Sequence, residues 1–197
     1  MIRELLADWQ MTKLKALSVL QCRGYVLDKH GDDGVRRIQA ALSPAARACI
    51  YADDLISTDW VEMVHAVAHA QAYEQVFGNG DGTTAAQMIR EITAMHFNGL
   101  YRSVFAAAST PLAVLERSSR LWNRFYDQGE SQIEIHGESS VTKRILGCPD
   151  MPRDHECLTS PYYEELVQQC GARDVVCKHI RCVALGSDRC ETTIRWK

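Results

Sequence analysis

The stretch DVVCKHIRCVALGSDRCETTIRW, residues 174–196, decides the fold class, because its composition differs sharply from that of the chain before it. Val, Ile and Thr are frequent on both sides of a short polar segment, Gly186-Ser187-Asp188. β-Branched residues flanking a turn of this kind predict an antiparallel hairpin. The end of the chain is therefore predicted to belong to a β-sheet.

Upstream of this hairpin, residues 132–137 and part of 140–146 alternate between apolar and polar side chains, which predicts two more strands. A short helix is predicted over 161–170, opening at a proline and ending at Gly171. Helical spacing of apolar residues predicts further helices over 2–20, 34–42, 44–50, 60–77, 85–106 and 111–126. The predicted fold class is α+β, with N-terminal helices packed on a small C-terminal antiparallel sheet that has one inserted helix.

The chain has 197 residues, a length that predicts a single domain over 1–197. Hydrophobic residues make up 46% and charged residues 24%, which excludes a disordered or fibrous protein. The net charge of −3 argues against direct nucleic-acid binding through phosphate neutralisation.

No run approaches the roughly 18 uncharged apolar residues of a membrane span. The first ten residues carry Glu4 and Asp8 and have no continuous apolar run, so we expect no secretory signal and a cytoplasmic protein. The predicted helix over 1–20 precedes the rest of the fold and is a candidate dimerisation element. Its alternative is an ordinary packed helix.

Cysteine is concentrated in the C-terminal part of the chain. Six of the eight cysteines fall within residues 148–190. In a reducing compartment thiols stay reduced, so metal binding is the first explanation to consider. The opposing interpretation is that these cysteines are small apolar residues of the core.

Residues 179–190 place one histidine and two cysteines on the predicted hairpin. If 184–188 form the turn, Cys182 and Cys190 lie opposite each other, with Cβ atoms about 4.5–5.5 Å apart. Two thiolates so placed can bind one Zn²⁺. His179 lies three residues before Cys182 and would face the other side of a regular strand, so a bulge or bend is required between them.

A fourth ligand must come from elsewhere in the chain. Cys157 is the first choice, because the loop over 149–159 precedes the short helix and can fold back onto the hairpin. His155 and Cys148 are the alternatives.

The segment from Cys182 to Cys190, continuing into residues 191–194, resembles the end of the 4-vinyl-reductase domain and the sensor domain of aromatic-responsive bacterial activators. The resemblance implies structural zinc held at Cys157, His179, Cys182 and Cys190, with His179 at a position where the family has a carboxylate. The order of elements is similar to that of the haem-nitric-oxide-binding and transport-particle superfamily. The resemblance implies a small-molecule-binding sensor or adaptor. The sequence shows no DNA-binding or ATPase segment, so we expect the output to pass through a partner protein or a homodimer.

The favoured function is a zinc-stabilised sensor that binds a hydrophobic small molecule in a cavity between the helices of 60–126 and the sheet. A metal-dependent enzyme is the first alternative, because Glu62, His65 and His69 share one face of a predicted helix. A ligand-free interaction adaptor is the second.

Overall fold

The computed structural model describes residues 11–98 and 110–197, except for the side chains of 96–98. The helices are α1 (Leu17–Ala41), α2 (Pro44–Ile50), α3 (Met63–Phe77), α4 (Thr83–Asn98), α5 (Pro111–Arg120), α6 (Trp122–Phe125) and α7 (Glu156–Gln168). The strands are β1 (Lys13–Lys15), β2 (Trp60–Glu62), β3 (Glu130–Gly137), β4 (Ser140–Leu146), β5 (Val176–Arg181) and β6 (Cys190–Arg195). Helices precede the main sheet and α7 is inserted between β4 and β5, so the predicted α+β fold class is confirmed.

The main sheet is antiparallel, with strand order β3-β4-β6-β5. Side chains of β4 alternate between its two faces, so Val141, Lys143 and Ile145 share the face that packs against the helices. A buried cluster joins this face to α5 and α7 through Leu115, Leu166 and other apolar side chains. The sheet thus forms one wall of the interior, and the helices form the other.

Strand β5 carries the bulge that the sequence required. His179 lies opposite Thr192 and Arg181 lies opposite Glu191, so Ile180 is an extra residue with no partner of its own in β6. The bulge changes which side of the strand the following residues face. The bulge therefore allows the side chains of His179 and Cys182 to lie close to each other.

The predicted helix over 2–20 is wrong over 13–15, whereas 17–20 are helical and form the start of α1. Residues 13–15 form β1, which pairs with β2 so that Leu14 lies opposite Val61. Leu14 and Val61 are both buried, and the residues on either side of each are more exposed. This alternation of burial is typical of a strand, but it lies within stretches whose apolar residues also have helical spacing. Residues 1–10, the rest of the proposed dimerisation helix, lie outside the described residues, as do residues 99–106 of the helix predicted over 85–106.

Helix α1 is longer than predicted. The sequence predicted one helix ending at residue 20 and another beginning at 34, yet the helix continues from Leu17 to Ala41 and departs from helical geometry only at Gly31 (φ 63°, ψ −168°). Val26, two residues after Gly24, is fully buried within this helix. Its burial outweighs the roughly 1 kcal/mol by which a glycine disfavours a helix interior.

The outer face of the sheet is charged. The Glu191 carboxylate accepts hydrogen bonds from Arg144 Nε at 2.9 Å and Arg189 Nε at 2.7 Å, and Arg181 Nε lies 3.2 Å from its other oxygen.

The helices are amphipathic rather than uniformly apolar. None of those within 11–98 and 110–197 is long and apolar enough to cross a bilayer.

Candidate functional site

Four side chains with metal-ligating atoms converge beside the end of β5. They are His155, His179, Cys182 and Cys190, and one ligating atom from each lies within 4.8 Å of every other. His155 comes from the turn before α7, and the other three come from the terminal hairpin. This is the one group of three or more such residues among the described side chains of 11–95 and 110–197.

Both imidazoles in this cluster are oriented by bonds at Nδ1. His155 Nδ1 lies 2.8 Å from the carbonyl oxygen of Pro152, which can only accept, so this nitrogen carries the proton. His179 Nδ1 lies 3.2 Å from Thr192 Oγ1. His179 Nε2 is buried without a hydrogen-bond partner among the described atoms. Histidine ligands of metals are commonly held in this way, with one nitrogen bonded and the other directed at the metal.

The two cysteines are buried in the same place. Cys182 and Cys190 are each 2% exposed. Burial raises the pKa of the Cys190 thiol to about 12, so the thiolate is disfavoured in the absence of a cation. A metal ion between the sulfurs would stabilise the thiolate form and release the proton.

The structure brings together three of the four residues predicted as ligands, His179, Cys182 and Cys190, whereas Cys157 is not part of the group. Cys157 packs against the larger apolar core and borders a separate surface cavity. Successive helical residues are rotated by about 100°, so residues 155 and 157 point to nearly opposite sides of α7. His155, one of the two named alternatives, takes the fourth position, while Cys148 Sγ contacts the carbonyl oxygen of Gln128 at 3.4 Å.

A cavity of about 160 Å³ lies where the sequence predicted one, between the helices and the sheet. Its walls come from α1, α3, α4, α5, α6, α7 and β4. Met63, Ile92 and Trp122 are among its apolar lining residues, and Lys143 is the charged one among those described. Trp122 is held in place by an Nε1–H bond of 3.0 Å to the carbonyl oxygen of Gln128.

The residues proposed for an enzyme site do not assemble one. His65 Nε2 lies 3.7 Å from Glu62 Oε2, while His69 is buried and its Nε2 lies 3.2 Å from the hydroxyl of Tyr51. Burial lowers the pKa of His69 to about 4. In the part of the chain that the structure describes, these residues form no group of three potential ligands. They are a packed histidine and a half-buried pair.

Comparison with known proteins finds no matching family profile and no similar curated protein. Solved structures do match. An Fe(II) unliganded mutant of the H-NOX protein from K. algicida has a TM-score of 0.65 at 10% identity, covering 93% of this chain and 97% of that one. The H-NOX protein from S. oneidensis in its Fe(II)NO state has a TM-score of 0.63 at 12% identity, covering 93% and 99%. This chain has the H-NOX fold.

The predicted cofactor, structural zinc, is wrong in light of these comparisons. The two solved H-NOX proteins are described in Fe(II) and Fe(II)NO states. A third similar structure is described by its haem redox potential. It has a TM-score of 0.60 at 8% identity and covers 92% of this chain and 99% of that one. The zinc prediction rested on nitrogen and sulfur ligand types, on their spacing and on the resemblance to the 4-vinyl-reductase domain. Several transition metals accept those ligands, so the spacing alone could not identify the metal.

The described residues that line the cavity do not fit a haem. A cavity of about 160 Å³ is smaller than the roughly 300–1,000 Å³ of pockets that hold drug-sized ligands. Haem iron also needs an axial ligand, most often histidine, and no histidine is among the described lining residues. The side chain of His96, on α4, lies outside the described residues. The cavity suits a smaller molecule.

Proposed function

We propose that this chain is a sensor domain of the 4-vinyl-reductase type, which binds a small hydrophobic molecule and signals to a partner protein or through a homodimer. The cavity carries the proposal, since its wall is mainly apolar with a few polar groups such as Thr93 and Lys143, the usual composition of a small-molecule site. The likeness to the S. oneidensis H-NOX protein, described in a nitric-oxide-ligated state, supports the assignment.

Helix α7 is the element through which binding in the cavity reaches the rest of the domain. Thr159 and Tyr162, on α7, line the cavity, and His155 at the start of the same helix belongs to the cluster on the hairpin. A ligand that favours one position of α7 would shift the hairpin with it. Signalling requires such a difference in affinity between two conformations.

We also infer that His155, His179, Cys182 and Cys190 bind one transition-metal ion. Two imidazole nitrogens and two thiolates suit a first-row metal of intermediate softness. The unpartnered Nε2 of His179 is the observation that favours this site. Direct metal analysis of the purified protein identifies the ion.

The cavity is tested with toluene, a single-ring apolar probe, and with a variant that fills the cavity. Ala66 lines the cavity from α3, so Ala66→Leu occupies part of its volume. Val64 is exposed on the same helix, and Val64→Leu is the matched control. Toluene should raise the melting temperature of the wild type and of Val64→Leu by mass action, and should leave that of Ala66→Leu nearly unchanged.

Two results would contradict the proposal. One is a wild-type melting temperature that does not respond to toluene at concentrations approaching its solubility. The other is an equal response in Ala66→Leu and the wild type, which would place the binding elsewhere. Either result leaves the metal inference to its own test.

A further inference from the structure

Lys143 occupies a position that normally holds an apolar residue. It lies between Val141 and Ile145 on the face of β4 that packs against the helices, and it is 2% exposed. A charged side chain is almost never fully buried unless it is paired. The position therefore calls for an explanation.

The ammonium group of Lys143 has neutral partners only among the described residues. Nζ donates to Ser119 Oγ at 2.7 Å and lies 3.5 Å from Ser118 Oγ, while the ring of Tyr163 is centred 5.0 Å away. No carboxylate from 11–98 or 110–197 lies within 4.0 Å of it, as the ion pairs of that part of the chain show. An ammonium group has three protons to donate and carries a positive charge. The two serine hydroxyls can accept hydrogen bonds from it, but they carry no negative charge to balance it.

The same group is part of the cavity wall. Lys143 and Ser118 line the cavity, together with apolar side chains such as Leu121 and Ile92. The volume of about 160 Å³ is close to the 150 Å³ of an apolar cavity that binds benzene. The cavity thus combines room for one ring with a buried cation at its wall.

We propose that the cavity binds a small apolar carboxylic acid, a single ring or a short alkyl chain, whose carboxylate pairs with the Lys143 ammonium. This deepens the proposed sensor function and rests on it. A bound carboxylate would supply the missing charge and accept hydrogen bonds from the ammonium. The hydrocarbon part would lie against the apolar side chains of the cavity.

Burial agrees with this assignment. It lowers the pKa of Lys143 to about 7, so the cation is held at a cost in the free protein. A buried ion pair with good geometry offsets that cost, whereas a neutral ligand of the same shape cannot. The cavity should therefore discriminate by charge as well as by size.

Benzoate and benzamide are the probes, because they have nearly the same shape and only benzoate is charged. Isothermal titration at pH 6.5 should show wild-type protein binding benzoate about 10- to 100-fold more tightly than benzamide. Lys143→Met keeps a side chain of similar length without the charge and should lose this preference. Its benzamide affinity should stay within about threefold of wild type, which also shows that the variant is folded. Lys178→Met, at an exposed position of β5, is the control and should bind like wild type.

The outcomes separate this inference from the proposed function. Equal wild-type affinity for benzoate and benzamide, with toluene still bound, overturns the carboxylate assignment and leaves the cavity proposal in place. Retention of the benzoate preference in Lys143→Met also overturns it, as does an equal loss in Lys178→Met. Failure of all three probes to bind overturns the proposed function and this inference together.

Discussion

The imidazole rings of His155 and His179 meet edge to face, with their centroids 4.8 Å apart. This contact joins the turn before α7 to β5, two segments that are separated in the sequence. Each ring is held at Nδ1, by the carbonyl of Pro152 or the hydroxyl of Thr192. The Nε2 atoms are thus available for a metal, and each proposed ligand can be tested separately.

Replacement of His155 should weaken metal binding, whereas replacement of Cys157 should not, because only His155 belongs to the cluster. Changes next to a metal site already cost about 10- to 100-fold in affinity, so the loss of a ligand in His155→Ala should cost at least about 10-fold. Titration with Co²⁺, followed by its thiolate charge-transfer absorption, measures the affinity.

The wild type should bind about one equivalent of Co²⁺ at this site, and Cys182→Ser should lose much of the charge-transfer band. Cys157→Ala is the matched control, with unchanged stoichiometry and affinity expected. A stronger effect in Cys157→Ala than in His155→Ala would show that the ligand set derived from the sequence resemblance is the correct one.

Two of the three glycines of α1, Gly24 and Gly31, should respond in opposite directions to the same substitution. Gly31 has φ 63° and ψ −168°, a region that side chains rarely adopt, so Gly31→Ala should destabilise by about 1–3 kcal/mol. Gly24 lies inside the helix with open space around it, so Gly24→Ala should stabilise by about 0.5–1 kcal/mol. Urea unfolding of both variants measures the changes, and destabilisation of equal size in both would contradict the described geometry.

Acid should destabilise the protein in part through His69. Burial lowers the pKa of His69 from 6.5 to about 4, so between these values the unfolded chain binds a proton that the folded protein does not. This contribution to stability is therefore present above pH 6.5 and is lost as the pH falls towards 4, by at most about 1.4 kcal/mol per pH unit.

The variant His69→Leu should show a shallower fall in unfolding free energy between pH 6.5 and 4.5 than the wild type. Its absolute stability also changes because the bond to Tyr51 is lost, so the slope is the informative quantity. Identical slopes for the two proteins would exclude a neutral, buried His69.

Lys143 should make stability depend on pH in the alkaline range. Burial lowers its pKa from 10.5 to about 7, so the unfolded chain keeps a proton there that the folded protein has released. Stability from this group therefore rises with pH between 7 and 10.5. Lys143→Met should be more stable than wild type at pH 6.5, and the difference should shrink by at least about 1 kcal/mol by pH 9.5. A difference in unfolding free energy that does not change with pH would contradict the burial of the charged amine.

Local patterns predicted most of the secondary structure, and they failed where long-range packing decided the outcome. Alternation over 132–137 and the composition of 174–196 led to β3, β5 and β6. Pro161, interpreted as the start of a helix, instead lies inside α7, which begins at Glu156. The strand β1 was missed because its three residues lie within a longer stretch of helical spacing, and its pairing with β2 depends on residues far away in the sequence.

The candidate sites divide in the same way. His179, Cys182 and Cys190 lie on one hairpin, where spacing alone predicts which side chains meet, and the need for a bulge followed from the same geometry. Lys143 was not predicted, although its place between Val141 and Ile145 in an alternating strand was a usable signal. An alternating pattern tells which residues share a face, but not that the face is buried.

The sequence by itself determined that helices precede the main sheet, that one helix is inserted in the sheet region, and that the chain ends in a hairpin with three of the four clustered ligands, because these features show in local patterns of the chain. Only the tertiary structure decided that His155 rather than Cys157 completes the cluster, since the rotation of α7 against the sheet sets which side chain faces the hairpin. It also decided that a lysine lies buried at the wall of an apolar cavity. That cavity exists only where helices from different parts of the chain pack against β4, and no local pattern records how closely they approach.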